Sequence, residues 1–123
     1  MRVFKGKVFD RFARKAGISD TTLSGAIHDA ALGLVDADLG GGVIKLRLAR
    51  PGGGKSGGYR SIVLFRARER AVFMYGFAKN ERDNIGTDEL VAFRKLARAV
   101  LAYGDDELAA ALATGALIEV IDD

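Results

Sequence analysis

The chain has no cysteine, no tryptophan, one proline and one histidine in 123 residues. Without cysteine there can be no disulfide, no thiolate nucleophile and no cysteine-ligated metal. With His28 as the only histidine, a zinc hydrolase site is disfavoured as well. Long apolar runs are also missing. The longest uncharged apolar stretch, Leu108 to Ile118, has eleven residues, against about 20 needed to cross a bilayer. Met1 to Lys15 is broken by Arg2, Lys5, Lys7, Asp10, Arg11 and Arg14 and offers no apolar core for a signal peptide. The expectation is a cytoplasmic protein with no membrane association, no metal and no cofactor.

What is present is a composition of 49% hydrophobic and 28% charged residues, ordinary for a globular protein and sized for one domain over residues 1–123. The net charge of +3 says little; its distribution says more. Between Lys45 and Arg82 lie Lys45, Arg47, Arg50, Lys55, Arg60, Arg66, Arg68, Arg70, Lys79 and Arg82, opposed only by Glu69 and Glu81. From Asp105 onward there are acids and no bases. A basic middle beside an acidic tail points to a polyanion as partner.

Periodicity predicts the elements. Arg2 to Phe4 reads as a short strand. Val8, Phe9, Phe12, Ala13 and Ala16 form one helical stripe stopped by Gly17. Ser19 is a good N-cap for a second helix with Leu23, Ala26, Ile27, Ala30, Ala31 and Leu34 on one face. Two successive helices predict a helical hairpin packed on the sheet that follows.

From Val43 the period becomes two, with Ile44, Leu46 and Leu48 inward and Lys45 and Arg47 on a wet face. Tyr59 to Ala67 and Ala71 to Phe77 read as buried strands. A third helix starts at Thr87, Asp88 and Glu89 and ends at Gly104. A fourth runs from Asp105 to Thr114, stopped by Gly115, and Leu117 to Ile121 reads as an edge strand. The predicted class is α+β: an N-terminal helical hairpin on a mainly antiparallel twisted sheet, followed by C-terminal helices. If Glu69-Arg70 is a two-residue hairpin loop, Arg60 stands opposite Lys79. Two cations side by side need an anion between them, and a phosphate would serve.

Other motifs weigh less. Ala49 to Ser56 satisfies a permissive phosphate-loop pattern, but that motif needs a helix directly after it, and here Gly57-Gly58 and a strand follow. A plain hairpin loop is the simpler reading, with a lysine-bearing flap over RNA as the other. His28 falls on the polar flank of its helix, as a solvated surface residue would. Asp105, Asp106, Glu107, Asp122 and Asp123 have no metal-binding spacing and read as helix caps or a solvated tail. Arg94, Lys95 and Arg98 read as solvated surface. The bland alternative for Arg60 and Lys79 is a salt bridge to Glu81 or to the C-terminal acids.

Lys55-x-Gly-Gly-x-Arg60, followed by Tyr75-Gly-Phe-Ala-Lys-Asn-Glu81, resembles the RelE/ParE superfamily of toxins from type II toxin–antitoxin systems, and within it the HigB-like branch. The likeness covers nearly the whole chain and is most diagnostic from Gly41 to Ile85. It implies the RelE-like fold, a helix-turn-helix antitoxin as cognate partner, and metal-independent endonucleolytic cleavage of messenger RNA in the ribosomal A site. Homodimer formation is left open.

Carried over by position, the resemblance makes Lys45, Arg47, Arg60 and Lys79 the catalytic candidates. Arg50, Lys55, Tyr59, Arg66 and Arg82 are RNA-binding candidates. Members of one branch stack a C-terminal tyrosine on the substrate; Leu117 to Asp123 contains none, leaving Tyr59 or Tyr75 for that part. The chemistry implied is attack of a ribose 2′-hydroxyl on the adjacent phosphodiester, leaving a 2′,3′-cyclic phosphate and a 5′-hydroxyl. Lys45 or Lys79 would be the base, and Arg47 and Arg60 would stabilise the extra negative charge. Two alternatives stand beside this reading: a ParE-like inhibitor of DNA gyrase, and a non-catalytic module that binds RNA or antitoxin.

Overall fold

The computed structural model describes residues 1–53 and 58–121. The elements run β1 (Arg2–Gly6), α1 (Lys7–Ala16), α2 (Asp20–Ala31), β2 (Ala37–Gly40), β3 (Val43–Leu48), β4 (Tyr59–Arg66), β5 (Arg70–Ala78), α3 (Thr87–Val100), α4 (Asp105–Thr114) and β6 (Leu117–Glu119). The strands form one sheet in the order β2-β3-β4-β5-β1-β6. It is antiparallel except where β1 runs parallel to β5. No helix among the described residues is long and apolar enough to cross a membrane. The α+β class and the helical hairpin stand as expected.

Local chemistry explains the helix ends. Gly17 and Gly115 take left-handed φ angles of 72° and 78° and close α1 and α4, a conformation glycine adopts without a Cβ clash. The Ser19 hydroxyl accepts from the Thr22 N–H at 3.2 Å and opens α2. Gly104 does not end α3, which stops at Val100. It precedes α4 instead, its N–H donating to the Glu107 carboxylate at 3.0 Å. The end of α3 is held by Arg70, which donates to the carbonyls of Val100 and Tyr103, and by Arg66, which donates to that of Leu101. Because α2 ends at Ala31, Leu34 leaves the predicted stripe and is exposed, as is Val8 on α1.

Both sheet faces are covered. Phe9, Ala13, Leu23 and Ile27 of α1 and α2 pack on Ile44, Leu46, Leu48, Val63 and Phe73. On the opposite face Ala97, Val100 and Leu101 at the end of α3 and Leu108 of α4 pack on Val43, Ile62, Leu64 and Val72. The second face of β3 is therefore only partly wet: Val43 is buried, Lys45 is largely covered, and Arg47 is exposed. Each fully buried phenylalanine, Phe4, Phe9 and Phe73, contributes about 1.5–3 kcal/mol relative to exposure.

The β4–β5 hairpin differs from the predicted two-residue loop. Arg66 pairs with Arg70, so Ala67, Arg68 and Glu69 form the loop, with Arg68 at φ 68° and the Glu69 N–H donating to the Arg66 carbonyl at 3.0 Å. A residue in the left-handed region is the usual way to close a three-residue loop. A bulge then places Met74 as the extra residue, because Val63 faces Phe73 while Ile62 faces Tyr75. Together these shift the register by two, and Arg60 stands opposite Phe77 rather than Lys79.

A buried charge cluster pins β1 to the helical hairpin. Lys5, 8% exposed, lies 3.1 Å from Asp10 and 2.9 Å from Asp20. Asp20 also accepts the Ile121 N–H at 2.9 Å. Burial works against the charged form of Asp20, but the Ile121 N–H and the Lys5 ammonium outweigh it and hold the carboxyl below its usual range.

Candidate functional site

The pleat and the register decide which cations share a surface. Lys45 and Arg47 alternate with Leu46 and so lie on the face that carries α3. Arg47 is directly opposite Arg60, and residues opposed across a ladder point to the same side. Arg60 in turn faces Phe77. Across three strands the row therefore reads Arg47, Arg60, Phe77, with Lys45 one pleat along β3. Helix α3 packs on this face over Val43, Leu64 and Val72, and Phe77 is buried in the same cluster, so the row runs from the α3 core at Phe77 out to the half-exposed Arg47.

Asp36, just before β2, joins the three cations. Its carboxylate accepts from Arg47 Nε at 2.8 Å and lies 3.4 Å from Arg60 Nε and 3.5 Å from Lys45 Nζ. The Asp36 and Lys45 side chains are each 13% exposed and that of Arg60 5%, whereas that of Arg47 is half exposed. Burial raises the cost of ionising Asp36, yet the Arg47 hydrogen bond and the charges of Lys45, Arg60 and Arg47 prevail and hold its carboxyl below the ordinary range. Three cations meet one carboxylate, so the cluster retains positive charge at its surface.

Arg82 extends the same surface past Phe77. Its guanidinium lies over the Phe77 and Tyr75 rings, 5.7 and 5.8 Å from their centroids, within cation–π range. It donates to the Tyr75 hydroxyl at 3.2 Å and to the Glu89 carboxylate at 2.6 Å. These two partners raise the pKa of Arg82, and the Arg82 hydrogen bond lowers that of Glu89. Glu89 also accepts the Gly86 N–H at 2.8 Å, so one carboxylate both caps α3 and holds Arg82 in place. Phe77 is buried and both rings are engaged by Arg82, so what this surface offers a single-stranded nucleic acid is charge for its phosphates.

The remaining candidates distribute unevenly. Lys79 is exposed in the turn after β5, and its backbone N–H donates to the Gly58 carbonyl at 3.1 Å, which puts it at the Tyr59 end of the sheet. Tyr59 alternates with Arg60 and packs on the opposite face, against Phe12 at 5.4 Å. Arg50 lies over the Tyr59 ring at 5.1 Å and goes with it. Arg66 is six residues along β4 from Arg60, roughly 20 Å in a strand, and serves the end of α3. Lys55 lies outside the described residues, as do Asp122 and Asp123; β4, a strand and not a helix, follows the loop. His28 is exposed, as expected. Arg94 donates to the Leu39 carbonyl and so ties α3 to β2.

Sequence reasoning missed Asp36, Phe77 and Glu89. A signal for Asp36 existed. Gly40, Gly41 and Gly42 all take left-handed φ angles, and a turn at those glycines folds the preceding residues back along β3, pairing Ala37 with Lys45. That register puts Asp36 beside Lys45 and Arg47, and its N–H donates to the Lys45 carbonyl at 2.9 Å.

The family model for the RelE toxin of the RelE/RelB toxin–antitoxin system matches residues 1–120. No curated protein matches the chain.

Proposed function

The chain belongs to the RelE toxin family and is the toxin of a toxin–antitoxin pair, and from that premise we propose that it is a metal-independent endoribonuclease of the HigB-like branch that cuts messenger RNA on the ribosome. The observation that carries the reading is the row Arg47, Arg60, Phe77 with Lys45 beside it and Arg82 over Phe77. It gathers cations that could serve as phosphate ligands on one side of the sheet, with Arg82 seated on the buried Phe77 ring.

The chemistry needs no external nucleophile. The ribose 2′-oxygen attacks the adjacent phosphorus, the bond to the 5′-oxygen breaks, and a 2′,3′-cyclic phosphate and a 5′-hydroxyl result. Lys45 is the better candidate for the base, since it shares a face with both arginines, with Lys79 at the same end of the sheet as the second. Arg47 and Arg60 stabilise the phosphorane; a guanidinium remains charged and can bind two oxygens at once. Arg82, held by Glu89, binds an adjoining phosphate or stacks on a base. A helix-turn-helix antitoxin would silence the protein by covering this basic face.

The test is inducible expression of wild type and Arg60→Ala at matched soluble levels, with growth curves and mapping of messenger RNA 5′ ends. Growth arrest with new in-frame 5′ ends, reduced about 10²–10³-fold in the variant, is expected. Arrest without cleavage, accompanied by blocked supercoiling, would replace the nuclease with a gyrase inhibitor.

A further inference from the structure

Asp36 is an acid at the centre of a site that has to bind an acid. Its oxygens take the Nε edge of Arg47 at 2.8 Å and face that of Arg60 at 3.4 Å, with the Lys45 ammonium at 3.5 Å. The Nε atoms lie on the inner side of each guanidinium. Of the terminal nitrogens of Arg60, Nη1 donates to the Tyr59 carbonyl at a long 3.3 Å, and the Arg47 side chain is half exposed. A carboxylate placed this way orients the two guanidiniums from behind and leaves the half-exposed outer edge of Arg47 to a ligand, with Arg60 held beneath it. It also cancels one of three positive charges.

We propose that Asp36 is a positioning residue with two opposed effects: it aligns Lys45, Arg47 and Arg60 for the reaction, and it weakens the site's hold on RNA. The inference rests on the phosphate-binding reading of this face. Arg47 and Arg60 are opposed like charges, a destabilising cross-strand pair, and Arg60 and Lys45 have little access to water. Without an internal anion the two arginines would separate when RNA is absent, and the first phosphate to arrive would have to reassemble them. With Asp36 in place the site is organised in advance, which favours rate. The same negative charge opposes every incoming phosphate, which lowers affinity and keeps the cleaved product from lingering.

The opposed signs make the test sharp. Asp36→Asn keeps the shape, and its side-chain oxygen can still accept from Arg47 Nε, but it removes the charge. Binding is measured for the purified free protein with a mixed-sequence single-stranded RNA carrying 2′-O-methyl groups, which cannot supply the attacking hydroxyl. Cleavage is measured by 5′-end mapping of a reporter messenger RNA in cell-free translation. The variant is expected to bind ~3–10-fold tighter at low salt, with a salt dependence steeper by up to about one phosphate equivalent. It is expected to cleave about tenfold or more slowly. Unchanged or weaker binding, or an unchanged cleavage rate, in a variant that melts like wild type overturns the proposal.

Asp36→Glu supplies a second arm should the asparagine variant fold poorly. The charge is kept and the carboxylate displaced, so binding should stay within about twofold of wild type while cleavage slows; a wild-type rate overturns the positioning role. A wild type that binds RNA and leaves messenger RNA intact would overturn the nuclease reading instead. The binding of Asp36→Asn would then still decide the electrostatic half, tighter binding supporting it and unchanged binding refuting it.

Discussion

Arg47 and Arg60 stand directly opposite one another across the β3–β4 ladder, and the carboxylate of Asp36 reaches the Nε of both. The two arginines differ in one respect that governs their roles. Arg60 sits between β3 and β5 with its side chain 5% exposed, while that of Arg47 is half exposed. In the proposed site Arg60 would be the fixed cation, and Arg47 the one open to solvent and to an incoming substrate.

The fixed position of Arg60 makes it intolerant of conservative exchange. Lysine offers a point charge where the site has a planar fork, and its shorter donor set cannot hold Asp36 and a phosphate together. Arg60→Lys should fold as wild type does, judged by its circular dichroism and melting curve, and should lose about 10²-fold in messenger RNA cleavage. Activity within about threefold of wild type would show that only charge is required there.

Acid stability follows from the carboxylates. Asp36 and Asp20 are both held below their ordinary range in the folded protein, so each adds stability above its unfolded pKa of about 4 and loses it as pH falls through the lower folded value. For these groups the melting temperature should be level from pH 5 to 8 and should fall below about pH 4. A fall already complete at pH 5 would assign the acid transition to other groups.

Lys5 has the opposite sign. Burial lowers its pKa, but hydrogen bonds to Asp20 and Asp10 more than restore it, and the folded value is raised. Its contribution is full below its unfolded pKa of about 10.4 and is lost as pH rises through the folded value. Lys5→Met removes the charge and leaves Asp10 and Asp20 facing each other partly buried. A destabilisation of about 3–5 kcal/mol is expected, read as a lower urea midpoint at unchanged slope, with the cluster of Lys45, Arg47 and Arg60 around Asp36 untouched.

Gly76 is a packing position rather than a flexible one. A Cβ there would come within 2.4 Å of the Phe12 ring, which already packs at a near-right angle to the Tyr59 ring. Gly76→Ala should cost about 1–3 kcal/mol through displacement of α1, measured by equilibrium unfolding. Phe12→Ala combined with it should cost less than the sum of the two single changes, because the clash is then gone.

The sequence by itself determined whatever depends on neighbours along the chain. Ser19 as a cap, Gly17 and Gly115 as stops, the period-two pattern of β3 and the two-faced apolar strands β4 and β5 are local, and each was legible from a few consecutive residues. So was the resemblance carried by Lys55 to Arg60 and Tyr75 to Glu81, and with it the class of fold.

Tertiary structure decided what depends on register and on distant partners. A left-handed residue at Arg68 and a bulge at Met74 moved Arg60 from Lys79 to Phe77, and neither can be read from apolar periodicity, because both strands are apolar on two faces and tolerate a slip without exposing a side chain. The parallel pairing of β1 with β5 joins segments some 70 residues apart and leaves no local mark. The fate of the cations was decided in the same way. Arg66 and Arg70 close a helix end, Arg50 goes to the opposite face with Tyr59, and among the described candidates Lys45, Arg47, Arg60 and Arg82 come to one face of the sheet. Charge is visible in a sequence, but the partner that satisfies it is chosen by the fold.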